Sequence, residues 1–206
     1  MGQELAFFTE AKARDLLEVV RRQCGAPASL SALDVGCGIG ATDEYLSGAF
    51  RQLCGVDVSQ GVVDTAARAN PSVRYDMYDG ETLPYDDGTF DVTFAICVLH
   101  HVGPADRQRF VGELGRVTRE GGVVLLFEHN PYNPLTRMAV HRCEFDRGVV
   151  LLRATAARRL LVTAGLHVQE QRYIIFFPWR HRALRVLERR LSRFPLGAQY
   201  LVAAKP

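Results

Sequence analysis

An acidic residue followed by alternating glycines is the part of this chain best suited to chemistry. Residues 32–40 read A-L-D-V-G-C-G-I-G: a short apolar run stops at Asp34 and is followed by Gly36, Gly38 and Gly40. A strand that turns sharply into a helix through such glycines brings the backbone close to a bound nucleotide without Cβ clashes. The pattern therefore predicts a nucleotide-cofactor site at the end of this strand.

The glycine pattern alone leaves two classes of cofactor open, because Gly36, Gly38 and Ala41 also satisfy the dinucleotide fingerprint G-x-G-x-x-G/A. Asp34 favours one class, since a carboxylate at the strand end attracts a cationic amino group, such as that of S-adenosylmethionine, and repels a pyrophosphate. Asp57 ends the next apolar run, where a carboxylate would accept hydrogen bonds from ribose hydroxyls. An acid at this position is expected for both classes of cofactor, so it does not distinguish them.

Three histidines could take a proton from an acceptor molecule. His100 and His101 directly follow one predicted strand and His129 follows another, at the carboxyl ends where open α/β sheets bind ligands. Histidine suits a general base because its ordinary pKa is about 6.5. Side chains alternate along an extended chain, so only one of His100 and His101 would face the pocket, and we predict that His101 is the base. The alternative is a histidine that caps or packs against a helix.

Glu128 and His129 are the predicted substrate-side residues, because they begin the loop after the fifth strand. Glu128 is expected to orient a histidine or to bind a substrate hydroxyl. A plain acid at the rim of the sheet is the alternative.

The sequence favours free thiols and no metal ion. The five cysteines show no C-x-x-C spacing, which is typical of reduced, unpaired cysteines. The nearest approach to a metal-binding pair is His141 with Cys143, whereas a structural zinc ion takes four protein ligands.

Further blocks follow the glycine turn at regular intervals. They are G-V-D-V-S from Gly55, D-G-E-T-L-P-Y-D-D-G-T-F-D-V from Asp79, C-V-L-H-H from Cys97 and R-V-T-R-E-G-G-V-V-L-L-F-E from Arg116. Together with L-D-V-G-C-G-I-G, these blocks resemble the class I S-adenosylmethionine-dependent methyltransferases, in particular small single-domain enzymes that act on metabolites and lipids. The resemblance covers roughly residues 30–130, in the family's order.

The resemblance implies a role for each matching residue. Asp34 would contact the methionine ammonium through backbone or water, with a helix N-cap as its alternative role. Asp57 would bind the ribose hydroxyls. Asp79 would accept from the adenine amino group while the Gly80 N–H meets a ring nitrogen, unless the pair merely forms a turn. Cys97 would offer its backbone to the methionine moiety. The full set of expected cofactor residues is Asp34, Gly36, Cys37, Gly38, Asp57, Val58, Asp79, Gly80 and Cys97.

The elements that would position these residues alternate between apolar strands and amphipathic helices, which predicts an α/β fold with a mostly parallel sheet covered on both faces. The predicted strands span 32–35, 52–58, 73–78, 91–97, 123–128, 167–177 and 199–203. The clearest helix spans 106–119, and Gly121–Gly122 would end it. The resemblance adds a Rossmann-like seven-stranded topology, with the last strand antiparallel beside the fifth.

Length and composition fit one domain over residues 1–206, of which 48% are hydrophobic and 23% charged. Residues 1–25 are predicted to form a lid helix, and 130–150 and 178–197 to be substrate-side insertions. No apolar run approaches the roughly 20 residues that span a bilayer, and the first residues lack the positive charge of a signal peptide. We expect a cytoplasmic protein. The sequence does not indicate an oligomeric state.

The segment from Trp179 to Phe194 carries six arginines around an apolar stripe. A basic amphipathic helix of this kind lies on anionic lipid or holds phosphate, although a solvated surface helix is the simpler alternative. The segment therefore predicts peripheral membrane contact or a phosphate-bearing acceptor. Nucleic acid is disfavoured, because the net charge is only +2 and few aromatic residues lie between the arginines.

Taken together, the sequence predicts an enzyme that moves the methyl group of S-adenosylmethionine to an O or N nucleophile of a small molecule or a lipid-linked intermediate. Two alternatives stay open. One is a non-catalytic scaffold that binds S-adenosylmethionine, against which the intact acid and glycine residues argue. The other is an NAD-dependent oxidoreductase, which Asp34 and the D-G-E-T-L-P-Y block disfavour.

Overall fold

Seven strands form one mixed sheet in the computed structural model, which describes residues 2–177 and 182–206. The strands are β1 (Ser31–Val35), β2 (Gln52–Asp57), β3 (Arg74–Met77), β4 (Phe90–Ile96), β5 (Thr118–His129), β6 (His167–Ile174) and β7 (Gln199–Lys205). Their order across the sheet is β3-β2-β1-β4-β5-β7-β6. Neighbours from β3 to β5 pair in parallel, whereas β7 runs antiparallel to both β5 and β6. The predicted fold class and the place of the last strand are confirmed.

Helices cover both faces of the sheet. They are α1 (Gly2–Gln23), α2 (Asp43–Leu46), α3 (Gln60–Ala69), α4 (Arg107–Val117), α5 (Pro134–Arg142), α6 (Ala154–Thr163) and α7 (Arg182–Leu191). Along β5, Val124 and Leu126 pack with α4 and α6 on one face, and Leu125 and Phe127 pack with α1 and α2 on the other. Successive side chains of a strand point to opposite faces, so a strand buried on both sides is apolar throughout its length.

The predicted helix over 106–119 is too long. The helix ends at Val117, and β5 begins at Thr118, which pairs with Phe90 of β4. The Gly121–Gly122 pair therefore lies inside the strand and does not end a helix. The register between β4 and β5 shifts at this point, and glycine at position 121 adopts a φ of 78°. Local periodicity could not show that strand pairing overrides the helix here.

The predicted strand over 167–177 ends early, at Ile174. The next residue, Ile175, has a φ of 59°, in the left-handed region that interrupts an extended chain. Its carbonyl oxygen accepts a hydrogen bond from the Ala198 N–H at 2.9 Å, which joins this bend to the start of β7. Residues 175–177 have no regular secondary structure, although Ile175 remains buried in the core.

The predicted lid over residues 1–25 corresponds to α1. Leu16, Val19 and Val20 are fully buried, so the second half of this helix belongs to the core. The lid role of residues 1–25, and the substrate-side roles of 130–150 and 178–197, stay predictions.

Residues 178–181, which include Trp179, lie outside the described residues. Within the part of the chain that the structure describes, no helix has the length and apolar character needed to cross a membrane.

Candidate functional site

The glycine turn after β1 is built so that only glycine fits at its first position. Gly36 has a φ of 79°, and a Cβ atom there would come within 2.5 Å of the Val98 side chain. The N–H groups of Gly36 and Cys37 both donate to the Val56 carbonyl, at 2.8 and 3.0 Å. These bonds fix the turn against β2 and hold it next to the residues that follow β4.

The second position of the turn borders open space. Gly38 has a φ of 56°, and a Cβ atom there would meet no other atom within 4 Å. Its N–H donates to Asp57 Oδ2 at 3.1 Å, and Asp57 Oδ1 accepts from the Ser59 N–H at 3.1 Å. The structure thus brings the predicted Gly38 and Asp57 into direct contact, beside space that a ligand could fill.

Three large apolar side chains remain exposed at the carboxyl ends of β1, β2 and β3. Ile39, Val58 and Met77 are 56%, 58% and 50% exposed. A Cβ atom on Gly80 would lie 3.3 Å from Val58, so glycine at 80 keeps the backbone close to this apolar group. Val58 and Gly80 are predicted site residues. Sequence reasoning missed Ile39 and Met77, whose signal is an apolar residue just beyond a turn or at a strand end.

Asp79 stabilises a turn, as the alternative to its adenine-binding role predicts. Its Oδ1 atom accepts from the N–H groups of Glu81 and Thr82, both at 2.8 Å. These two hydrogen bonds favour the charged form and lower the pKa of Asp79. The role of Asp79 in binding adenine stays a prediction.

Asp34 belongs to a pair of buried carboxyl groups behind the turn. It lies inside β1 and is 2% exposed, so it is not a helix N-cap, and it hydrogen-bonds to the fully buried Asp43. Burial raises the pKa of Asp34 well above its ordinary value and that of Asp43 to about 6. The Tyr75 hydroxyl donates to Asp43 at 2.7 Å, and the charge of Lys12 favours ionised Asp34.

A cavity of about 540 Å³ lies at the carboxyl ends of β4 and β5, beside the start of β7. Its polar residues are Lys12, Cys97, His100, His129, Asn133, Thr136, Cys143, Asp146 and Gln199. Its apolar residues are Phe8, Leu135, Ala139, Val140, Ile175, Phe176, Phe177 and Ala198. Although polar and apolar residues are about equal in number, most of the exposed lining surface is apolar, which is typical of small-molecule sites.

Cys97 lines this cavity in a backbone conformation that is uncommon for a residue other than glycine. Its φ is 60°, and its N–H donates to the Phe127 carbonyl at 2.8 Å. Burial raises the pKa of its thiol, which keeps the sulfur protonated and unreactive. Gln199 Nε2 contacts the sulfur at 3.4 Å. Such strained residues cluster at functional sites.

The prediction that His101 faces the pocket is wrong, because its premise of an extended chain fails. The segment after Cys97 is a turn in which the His101 N–H donates to the Val98 carbonyl at 2.9 Å. His100 is buried and lines the cavity, whereas the His101 side chain is 42% exposed and does not line it. The structure therefore exchanges the expected positions of the two histidines.

Glu128 orients His100 and does not line the cavity. It is 1% exposed, its Oε1 atom accepts from the Leu99 N–H at 2.7 Å, and its Oε2 atom lies 2.6 Å from His100 Nδ1. Burial opposes a charge on His100, but the hydrogen bond and the charge of Glu128 outweigh it and raise the pKa of His100. His129 lines the cavity as expected, and burial lowers its pKa.

Comparison with known proteins matches the part of the chain that builds the glycine turn and the turn after β4, whereas most residues that line the cavity lie outside the matched range. Residues 33–126 match the model of a methyltransferase domain. The chain is 31% identical over 105 residues to ajmaline N-methyltransferase of Rauvolfia serpentina, covering 47% of this chain and 35% of that protein. It is 30% identical over 174 residues to phosphoethanolamine N-methyltransferase 1 of Triticum aestivum, covering 80% of this chain and 33% of that one. The chain thus spans about a third of the length of these relatives.

A solved structure shares the fold over nearly the whole chain. An S-adenosylmethionine-dependent methyltransferase from Thermotoga maritima superimposes with a TM-score of 0.69 at 18% identity, covering 99% of this chain and 94% of that one. At this identity the likeness concerns the fold alone.

The buried carboxyl pair predicts a pH-dependent stability. The pKa of Asp43 in the folded state lies above its ordinary value of 3.8. The group therefore contributes its full stability below about pH 4, where it is protonated, and this contribution to the free energy of unfolding is lost as pH rises through about 6. Asp43→Asn keeps an oxygen for the Tyr75 hydroxyl and removes one ionisable group. We expect it to raise the free energy of unfolding at about pH 7.5 by at most about 3 kcal/mol, and to have no such effect near pH 4.

Urea denaturation of both proteins across this pH range measures the difference. Asp64→Asn, at an exposed carboxylate on α3, is the matched control and should show no pH-dependent gain. Equal free energies of unfolding for Asp43→Asn and the parent chain at pH 7.5 would show that the charge on the buried pair does not destabilise the fold.

Proposed function

Since the chain belongs to the class I S-adenosylmethionine-dependent methyltransferase family, we propose that it transfers the methyl group of S-adenosylmethionine to an O or N atom of an apolar small molecule or a lipid-linked intermediate. One observation supports this most. The glycine turn packs against Val98, and the cavity is lined by Cys97, the residue before it. A site for a methyl donor and a site for an acceptor thus lie side by side at one edge of the sheet.

The residues at the ends of β1, β2 and β3 fit the proposed cofactor. Asp57 would accept from the ribose hydroxyls, and the exposed Val58, Ile39 and Met77 would cover the adenine ring. Behind the turn, the buried pair of Asp34 and Asp43 would share a negative charge near neutral pH and offset the positive charge of the methionine ammonium. The bound cofactor supplies a methyl carbon on a sulfonium sulfur, which a nucleophile attacks in line. Holding acceptor and donor at attack distance is then the chief task of the chain.

The acceptor would occupy the apolar cavity. Leu135, Phe176 and Phe177 provide part of an apolar lining that suits an apolar or lipid-like molecule. His129 takes the place of His101 as the residue that would accept the proton of a hydroxyl, because it lies on the cavity wall. The names of the two curated relatives describe transfer to nitrogen, and an amine acceptor would need no strong base.

Replacing Asp57 tests the proposed cofactor site. Asp57→Asn removes the charge that strengthens hydrogen bonds to ribose hydroxyls, and we expect it to weaken binding of S-adenosylmethionine by about 10- to 100-fold, on the scale of charge-assisted hydrogen bonds. Fluorescence or calorimetric titration measures the affinity. Asp64→Asn is the matched control and should bind as the parent chain does. Unchanged affinity in Asp57→Asn would remove this residue from the site.

Methyl transfer itself is tested with S-adenosylmethionine labelled in its methyl group and panels of apolar alcohols, apolar amines and lipid-linked phosphates. We expect label to reach one class of acceptor, with one S-adenosylhomocysteine released per transfer. His129→Gln should lower kcat at least about 100-fold for a hydroxyl acceptor, the usual contribution of a general base. His167→Gln, an exposed histidine at the start of β6, is the control. Cofactor binding without transfer to any acceptor would favour a non-catalytic scaffold.

We also propose that the segment 179–194 contacts anionic lipid. In its described part, Val186, Leu187 and Phe194 are 59%, 43% and 55% exposed, in the same stretch as Arg189 and Arg190. The Glu188 carboxylate accepts from the N–H groups of two residues on the cavity wall, Phe176 and Phe177, at 2.9 and 3.2 Å. The helix that would lie on a membrane is therefore attached to the rim of the cavity.

Cosedimentation with vesicles measures this contact. We expect binding to vesicles that contain phosphatidylglycerol, weaker binding at high salt and little binding to phosphatidylcholine alone, because the arginines bind anionic headgroups. The double variant Arg189→Glu with Arg190→Glu should lose binding. The same charge change at the exposed Arg158 and Arg159 of α6 is the control. Equal losses in both double variants would indicate net charge and no dedicated surface.

A further inference from the structure

Two histidines and an aspartate converge beside the cavity, outside the proposed cofactor site. Asp146 Oδ1 lies 3.3 Å from His101 Nε2 and 3.5 Å from His100 Nε2. The ligating atoms of the three residues all lie within 4.8 Å of one another. His100 and Asp146 are separated in the sequence by α4, β5 and α5, so only the fold brings them together.

The spacing of these atoms matches a shared cation better than a hydrogen bond. His100 Nε2 is buried and has no hydrogen-bond partner, although it points toward a carboxylate oxygen. Zinc binds imidazole nitrogen and carboxylate oxygen at about 2.0–2.2 Å, and a tetrahedron of such bonds has edges of about 3.3–3.5 Å. The two distances to Asp146 Oδ1 agree with these edges.

The other side of His100 has the partner that metal-binding histidines usually have. Its Nδ1 atom lies 2.6 Å from Glu128 Oε2, so Nδ1 can donate its hydrogen to the carboxylate and leave the Nε2 lone pair free. Glu128 is held in turn by the Leu99 N–H at 2.7 Å. A carboxylate that fixes the tautomer and ring orientation of a ligating histidine is the usual outer shell of a metal site.

We propose that His100, His101 and Asp146 bind one divalent transition-metal ion, such as Zn²⁺, with a coordination position open to the cavity. Two imidazoles and one carboxylate suit zinc or a neighbouring first-row metal and disfavour Mg²⁺, which prefers oxygen ligands. His100 and Asp146 both line the cavity, so a fourth ligand would reach the ion from there. That ligand would be a water molecule or an oxygen atom of the bound acceptor. The site goes beyond the proposed function and does not depend on it.

Sequence spacing could not have found this site. Along the chain, the nearest approach to a metal-binding pair is His141 with Cys143, from which the sequence predicts no metal. Asp146 follows α5 in an irregular segment, and the two histidines are neighbours in sequence, a spacing that no common zinc motif uses.

Metal titration of the full chain tests the proposal without any cofactor. The protein is stripped with a chelator and titrated with Co²⁺, whose visible absorption reports tetrahedral coordination, and with Zn²⁺ in competition with a chromogenic chelator. We expect one ion of either metal per chain, a higher Tm with Zn²⁺, and no comparable effect of Mg²⁺. His101→Gln and Asp146→Asn should each weaken the affinity at least about tenfold, whereas His167→Gln should leave it unchanged.

Three results would overturn the metal site: no saturable binding of Co²⁺ or Zn²⁺, equal affinity in all three variants, or more than one equivalent weak site. The first would leave the cluster as an ion pair between a charged His100 and its two carboxylates. Because S-adenosylmethionine is absent from these titrations, a chain that binds metal but not S-adenosylmethionine would contradict the proposed function alone. Circular dichroism of each variant confirms that it is folded.

Discussion

The buried carboxylate of Glu128 is the constraint on which both parts of the site depend, the proposed cofactor site at the glycine turn and the cavity beside it. It lies near the end of β5, and its two oxygens hold the Leu99 N–H and the His100 ring, which belong to the turn after β4. A buried carboxylate is costly unless it is paired, so the turn must keep these two donors in place. Within the same turn, Val98 packs against the glycine turn and Cys97 lines the cavity. One interaction therefore aligns the proposed donor and acceptor sites.

Charge is divided between the two parts of the site. Acidic residues predominate in the proposed cofactor site. Burial raises the pKa values of Asp34 and Asp43, and Asp57 links the end of β2 to the turn after β1. Histidines dominate the acceptor side, where His100 and His129 line the cavity. The acids would favour a cation on the first side, as the proposed methyl donor requires. This division fits transfer of a methyl group from a positively charged donor.

The sequence was most informative where local chemistry decides the structure. The apolar runs predicted the central strands, because strands buried on both faces need apolar residues throughout. The glycines predicted the turn at Gly36, since no other residue tolerates the contact with Val98. Predictions from the sequence are wrong where contacts between distant residues decide the structure. Thr118 pairs with Phe90, so β5 begins where the sequence predicts a helix. A turn after β4 places His100, and not His101, in the cavity wall. Asp146 reaches the histidines only through the fold.

Isothermal titration of the chain with S-adenosylmethionine, with NADH as the rival ligand, tests the central claim most directly. Both cofactors use a glycine turn and an acid on the ribose, but only the first presents a cation to the acids around Asp34. The account predicts saturable binding of S-adenosylmethionine with one site per chain, and no binding of NADH. Saturable binding of NADH without binding of S-adenosylmethionine would contradict it and would restore the oxidoreductase alternative.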